Sequence, residues 1–314
     1  MVTLPLHDPG IARFGMDTTT LAGPLQAKLE AIAAAGFSQV MLKASDLSNH
    51  PDGWRAAARA VRASGLRPTG LQVLRDFEGL SGHLHQYKVG VAQTMLEMAA
   101  EAGADVLLVC STTSAHASAD IEHWARDLRK LAIMAIPWGI RIAYEALSWG
   151  RHVHEFTTAW DVVSRADCPN LGLGLDSYHI FATQSPLEWV DELDPERIFL
   201  VQLSDFMWQE VRTQEELIST ARTFRVFPGE GVHSEQLAQL VLRLHRLGYR
   251  GDYSFEVFND DYQQLPPEYV AARGRRSAQW LAEDVLHVDA PWRSPWHWAR
   301  RSAPQRAAGA DLMP

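Results

Sequence analysis

Four oxygen-bearing side chains stand at matching places in four apolar runs. Glu145 sits in "AYEAL", Asp176 ends "LGLGLD", Gln202 lies in "FLVQL" and Glu256 lies in "SFEVF". One carboxylate in such a run is ordinarily a cap or half of an ion pair. Three carboxylates and an amide in successive runs are a different matter. Gathered without counter-charge, three carboxylates repel one another and lose hydration. A divalent cation removes that cost. Hard oxygen ligands with no cysteine among them suit Mg²⁺ or Mn²⁺, with Co²⁺ as a further option, rather than structural zinc.

Other residues near these runs could move protons or hold anions. His179 follows Asp176 by three positions in "GLDSYHIF". An imidazole titrates near neutrality, so it is a candidate proton carrier beside a bound substrate. It is equally placed to be a further metal ligand, and spacing does not separate the two. Arg75 ends "QVLR" and Arg225 precedes "VFPGEG". Most arginines are solvated, but one beside a metal site can fork onto a carboxylate or phosphate. The "PGEG" loop could present backbone N–H groups to an anion or simply turn the chain. His83, His85, Arg151 and His152 fall in expected loops and form a second tier.

These residues need elements to position them. Short runs rich in Val, Ile and Leu alternate with longer amphipathic stretches. Strands are expected at 11–16, 39–43, 69–74, 105–110, 140–146, 171–176, 198–203 and 252–258. Between them, "PLQAKLEAIAAAG", "VAQTMLEMAAEAG" and "SEQLAQLVLRLHRLG" read as helices closed by glycine, the last with Ser234 as its N-cap. The strands are far enough apart for crossover helices, which makes them parallel. Eight such units predict an α/β fold, a (β/α)8 TIM barrel, in which reacting groups sit at the C-terminal strand ends. Glu145, Asp176, Gln202 and Glu256 fall at those ends. No GxGxxG follows the first strand, which argues against a dinucleotide site. The stretch 208–222 is extra length that could cover the barrel mouth.

The domain expected is residues 1–285, followed by a Trp/Arg/Pro-rich tail at 286–314. Its tryptophans suit docking on the barrel or on a second subunit, so a homo-oligomer through the tail is expected. The formal net charge of −9 argues against nucleic acid or an anionic membrane as partner. Cys110 and Cys168 have no metal or redox spacing, and the N-terminus lacks the pattern of a signal peptide. No run is long and apolar enough to span a bilayer. A cytoplasmic location follows as the default.

The motifs "YEALSWGRHV", "DSYHIF", "RVFPGEG", "FEVFND" and "RDFEG" resemble the sugar phosphate isomerase/epimerase superfamily of xylose isomerase-like barrels. Within it the sequence is most similar to bacterial 3-dehydroshikimate dehydratases, over roughly residues 11–285. The resemblance implies that Glu145, Asp176, Gln202 and Glu256 are divalent-metal ligands. It also implies that His179, Arg75 and Arg225 are active-site residues. The expected catalytic set is therefore His179, Glu145, Arg75 and Arg225. Arg75, Arg225, His152, Arg151 and His85 are the expected contacts to a small anionic substrate. Some members carry a dioxygenase-like domain after the barrel; here only the tail is expected. Members commonly read "GVEIFENDL" where this chain has "QVMLKASDL", with Met41 and Ala44 in place of acidic residues. That departure bears on the substrate and leaves the metal ligands untouched.

The implied reaction is dehydration of 3-dehydroshikimate to protocatechuate through a metal-stabilised enediolate. The same chemistry without loss of a hydroxyl serves isomerases and epimerases of keto sugars and inososes, which is the alternative. A catalytically silent barrel that binds a partner through its tail is a reading of another class. A DNA-repair endonuclease is disfavoured by the missing His-rich cluster and basic surface.

Overall fold

The computed structural model describes residues 8–287. Eight parallel strands close into a barrel in the order β1-β10-β7-β6-β5-β4-β3-β2. They are β1 (Phe14–Asp17), β2 (Gln39–Lys43), β3 (Arg67–Arg75), β4 (Val106–Cys110), β5 (Arg141–Glu145), β6 (Leu171–Asp176), β7 (Ile198–Leu203) and β10 (Tyr253–Phe255). Between β7 and β10, β8 (Asp205–Phe206) and β9 (Arg225–Val226) pair antiparallel as a short ribbon. The helices are α1 (Leu25–Ala34), α2 (Ala44–Ser48), α3 (Trp54–Ala63), α4 (Gly82–Ala102), α5 (Ile121–Ala135), α6 (Phe156–Ala166), α7 (Ser177–Ala182), α8 (Gln214–Thr223), α9 (Ser234–Leu247) and α10 (Pro267–Gln279).

The expected TIM barrel is therefore the fold. Its ends differ from expectation where local chemistry overrides the apolar pattern. The first strand starts at Phe14, because Pro9–Ile11 form a turn of 3₁₀ helix. The eighth barrel strand has only the three residues that pair with β1 and β7, so Glu256 lies just past its ladder. Ser234 is the first residue of α9 and not its cap. Its hydroxyl instead bonds Asp205 Oδ2 at 2.8 Å, tying α9 to the ribbon. The expected tail and the subunit contact assigned to it fall at 288–314, outside the described residues. Leu286, placed in the tail by the sequence, packs in the core. Among the described residues no helix is long and apolar enough to cross a membrane.

The main core lies between strands and helices, and a second cluster of Met41, Val106, Leu108, Ala143, Phe199 and Leu200 fills the barrel itself. Two glycines of "LGLGLD" make that filling possible. A Cβ on Gly174 would stand 2.9 Å from Leu108 Cδ1, and one on Gly172 would stand 2.3 Å from the Arg197 carbonyl. This plug is the dry floor beneath the mouth, and Met41 belongs to it.

The strand ends are cross-tied above the plug. Glu78, fully buried just after β3, accepts hydrogen bonds from the Thr112 N–H (2.6 Å) and the Tyr144 hydroxyl (2.9 Å), joining the ends of β3, β4 and β5. Its other oxygen is buried without a partner. Burial pushes this carboxyl up to about 7, against the lowering effect of those bonds. A raised carboxyl favours the fold while protonated, so its contribution is lost as pH rises through the folded value. Glu78→Gln keeps the accepting oxygen and removes the titration. Urea unfolding should show wild type losing on the order of 2–3 kcal/mol relative to Glu78→Gln between about pH 5 and pH 8. A constant difference across that range would remove Glu78 from the pH response.

Candidate active site and metal centre

The C-terminal ends of the strands open into a cavity of about 550 Å³. Glu145 ends β5, Asp176 ends β6, Gln202 is next to last in β7 and Glu256 follows β10. All four are at least 95% buried. Asp176 and Gln202 are register partners, so their side chains project from neighbouring strands at one level. Glu145, Asp176 and His179 bring carboxylate oxygens and a ring nitrogen within 4.8 Å of one another.

Arg225 enters this cluster from β9. Its Nη1 donates to Asp176 Oδ2 at 2.7 Å, to Glu256 Oε2 at 3.1 Å and to Ser204 Oγ at 3.2 Å. Its Nε donates to the Ala221 carbonyl, and the rings of Tyr178 and Phe258 flank the guanidinium. Burial opposes its charge, yet Asp176 and Glu256 outweigh that and raise its pKa. One guanidinium does not balance three carboxylates. Burial, then the charges of Asp176 and Glu256, pushes Glu145 well above the usual carboxylate range. Burial also lifts Glu256 to about 7 although Arg225 pulls the other way.

The unbalanced groups fit a metal. Glu145 Oε1 and both polar atoms of Gln202 are buried with no hydrogen-bond partner. Buried polar atoms are rarely left unpaired, because each loses its water without replacement. Two carboxyls beyond the one that Arg225 can balance, held back from ionising by burial, together with unpartnered oxygens, suit a divalent cation. Glu145, Asp176, Gln202 and Glu256 are the residues able to hold it.

His179 lies on α7, which Asp176 caps by accepting the Tyr178 N–H. The ring is buried, and the Ser148 backbone N–H donates to Nδ1 at 3.1 Å. That bond assigns the neutral ring's proton to Nε2, which faces Asp176 Oδ2 at 3.6 Å. Burial, with help from Arg225, lowers the imidazole to about 3, so the ring is neutral. A metal-bound imidazole donates its other N–H outward; this one accepts there. The ring is arranged as an Nε2–H donor, not as a ligand.

The remaining expected contacts separate. Arg75 ends β3 and lines the cavity. Arg225 also borders it, with Nη1 given to Asp176 and Glu256 and Nε to the Ala221 carbonyl, so its first role is to hold the two carboxylates together. His85 is not in a loop: α4 begins at Gly82 and carries it to Lys130 Nζ and Asp127. His152 stacks on Trp124 and bonds the Ala117 carbonyl. Neither these histidines nor Arg151 or His83 lines the cavity. Residues that the sequence did not single out do line it: Gln72, Cys110, Trp149 and Arg222. Cys110 Sγ donates to Glu145 Oε2 at 2.9 Å. Gln72 reaches Asp17, a buried carboxyl raised first by burial and then by Glu256. The stretch expected to cover the mouth contributes through the end of α8, where Ala221 and Arg222 form part of the wall.

The chain is 39% identical over 266 residues to a 3-dehydroshikimate dehydratase of Pseudomonas aeruginosa, covering 85% of this chain and 41% of that protein. It therefore spans about two fifths of that relative's length. It is 31% identical to an inosose isomerase of Halalkalibacterium halodurans over 45% of this chain and 48% of that one. A solved xylose isomerase-like TIM barrel/4-hydroxyphenylpyruvate dioxygenase fusion protein superposes with a TM-score of 0.82 at 35% identity, over 88% of this chain and 44% of that chain. The family model for the xylose isomerase-like TIM barrel matches residues 29–283, and the chain belongs to that family.

Proposed function

We propose that this barrel is a metal-dependent lyase that dehydrates 3-dehydroshikimate to protocatechuate, with Mg²⁺ or Mn²⁺ as the working ion and Co²⁺ as a substitute. The observation that carries the reading is the pair of unpartnered oxygens on Glu145 and Gln202, buried at the strand ends where Glu145 and a neutral His179 line a cavity that also holds Lys43, Arg75 and Arg222. Similarity to dehydratases over most of the barrel supports it. A bound divalent cation supplies Lewis-acid charge that steadies negative charge on a ketone oxygen.

The chain's own residues divide the proton transfers. The C4 proton of the substrate passes to a carboxylate. Glu145, whose side chain lines the cavity, is the acceptor assigned to it. The electron pair left at C4 delocalises into the C3 ketone and then expels the C5 hydroxyl. The His179 Nε2–H hydrogen-bonds that hydroxyl as it departs, and the proton taken from C4 is handed to it, so that it leaves as water while His179 stays neutral. Loss of a C6 proton and protonation of the C3 oxygen complete the aromatic ring. Arg225 holds Asp176 and Glu256 in place throughout, and Arg75 meets the substrate carboxylate from β3. Within this reading the protein acts in the cytoplasm.

Isomerisation of an inosose or keto sugar would use the same acceptor and the same floor. The partial similarity to an inosose isomerase keeps that reading as the alternative. Purified protein supplied with Mn²⁺ should convert 3-dehydroshikimate to a product absorbing as protocatechuate, and EDTA should stop it. No product at high enzyme concentration, with turnover of an inosose instead, would transfer the assignment to the isomerase.

His179→Asn should bind Mn²⁺ like wild type by calorimetry and lose roughly 10²- to 10⁴-fold in kcat, the usual range for a positioned proton donor. Full turnover would give that hydrogen bond to another group. Gln202→Leu should act with opposite signs on two measurements. Removing a buried, unsatisfied amide should stabilise the metal-free protein by roughly 1–3 kcal/mol. Loss of a ligand should weaken Mn²⁺ binding by at least about tenfold. Unchanged affinity would take Gln202 out of the metal site.

A further inference from the structure

The cavity's wall and edge hold three cations that the floor does not use: Lys43 at the end of β2, Arg75 at the end of β3 and Arg222 on α8. Among the described residues none of the three makes an ion pair. Arg75 lines the same cavity as Cys110, Glu145 and Glu256. Arg222 is the outlying one. Its guanidinium lies over the Trp149 ring, 5.9 Å from the ring centre. Trp149 in turn meets His179 edge-on, with centroids 5.1 Å apart. Arg222, Trp149 and His179 thus form one line of contacts that runs from the edge of the cavity to the proton donor.

The helix that carries Arg222 is fixed to the site. The Tyr178 hydroxyl donates to the Leu217 carbonyl at 2.6 Å, Trp208 Nε1 donates to Thr220 Oγ1, and Arg225 Nε donates to the Ala221 carbonyl. Two of these anchors, Tyr178 and Arg225, directly neighbour Asp176 in sequence or in space.

We propose that Arg222 is a specificity-determining residue that clamps the carboxylate of a ring substrate together with Arg75. The inference rests on the dehydratase reading and names the group that selects its substrate. A carboxylate is repelled by the acidic floor, so the ring must enter with its hydroxyls down and its carboxylate toward the edge. A planar guanidinium supported by an indole face presents a forked pair of donors at low entropic cost. Arg225 has its Nη1 committed to Asp176 and Glu256 at the floor, away from the edge where the carboxylate is placed.

The test uses the Mn²⁺-loaded protein and two probes with the same vicinal hydroxyls, protocatechuate and catechol, of which only the first has a carboxylate. Calorimetry should show wild type preferring protocatechuate. Arg222→Ala should weaken protocatechuate roughly 10- to 100-fold, the range for one charge-assisted pair, and leave catechol within about twofold. Arg222→Lys should recover part of the loss. In turnover the same variants should raise KM for 3-dehydroshikimate more than they lower kcat. Equal loss of both probes would reduce Arg222 to a prop for Trp149, and no loss of either, or no preference in wild type, would also overturn the proposal. The binding comparison reads carboxylate recognition whatever the reaction. Absence of protocatechuate formation by wild type instead counts against the dehydratase reading alone.

Discussion

The bond from Arg225 to Asp176 and Glu256 is the interaction around which the mouth of this barrel is arranged. Parallel strands all end on one side, so a barrel that places a carboxylate at several strand ends gathers like charges in a small volume. The apolar plug beneath them denies those charges water. In such surroundings a lone carboxylate takes up a proton or finds a partner. Arg225 partners two of them and stops there. The remaining imbalance is visible as the raised Glu145 and the idle Gln202 amide. A site that is well packed, fully buried and still unsatisfied is built around something it is meant to bind.

The same ion pairs explain why α7, α8 and the ribbon are where they are. Arg225 sits on β9, donates to the end of α8 and reaches the cap residue of α7. The segment between β7 and α9 is therefore part of the active site's frame and not a loose cover. Glu78 plays a comparable part on the opposite side, where it ties β3, β4 and β5 without touching the cavity.

Much of this was legible in the sequence, and the physical reason is periodicity. β2, β6 and β7 are continuous apolar runs bounded by polar turns, and their limits were readable to the residue. Glu145, Asp176, Gln202 and Glu256 could be found because a charged or amide group at the end of such a run stands out. The second tier failed for a different reason. His85 and His152 were assigned by sequence proximity to strand ends, but side-chain direction in a βα connection depends on where the helix begins and what it packs on. α4 starts at Gly82, several residues earlier than its apolar pattern suggests, and turns His85 onto α5. Trp149 and Arg222 were missed because their meeting is tertiary: 73 positions separate residues whose stacking no local pattern encodes. The idle donors of Gln202 and the tautomer of His179 likewise exist only once backbone groups from other strands are in place.

The dehydratase and isomerase readings share the floor of the cavity, so the floor cannot separate them. A general acceptor, a neutral donor and a cation site serve any proton abstraction next to a ketone. What differs is the part of the substrate that does not react. An inosose or keto sugar is neutral and offers hydroxyls to the cavity edge, for which free cations are poor partners because they stay better hydrated than bound. A carboxylated ring offers one charge at the far end from its reacting carbons, and that charge gains from Lys43, Arg75 and Arg222 while avoiding Glu145, Asp176 and Glu256. The division of the cavity into an acidic base and a cationic edge would, on the proposed reading, orient a carboxylated ring and give a neutral sugar no preferred direction. On the proposed reading, selection between two reactions that use the same catalytic groups falls to residues that take no part in either chemistry.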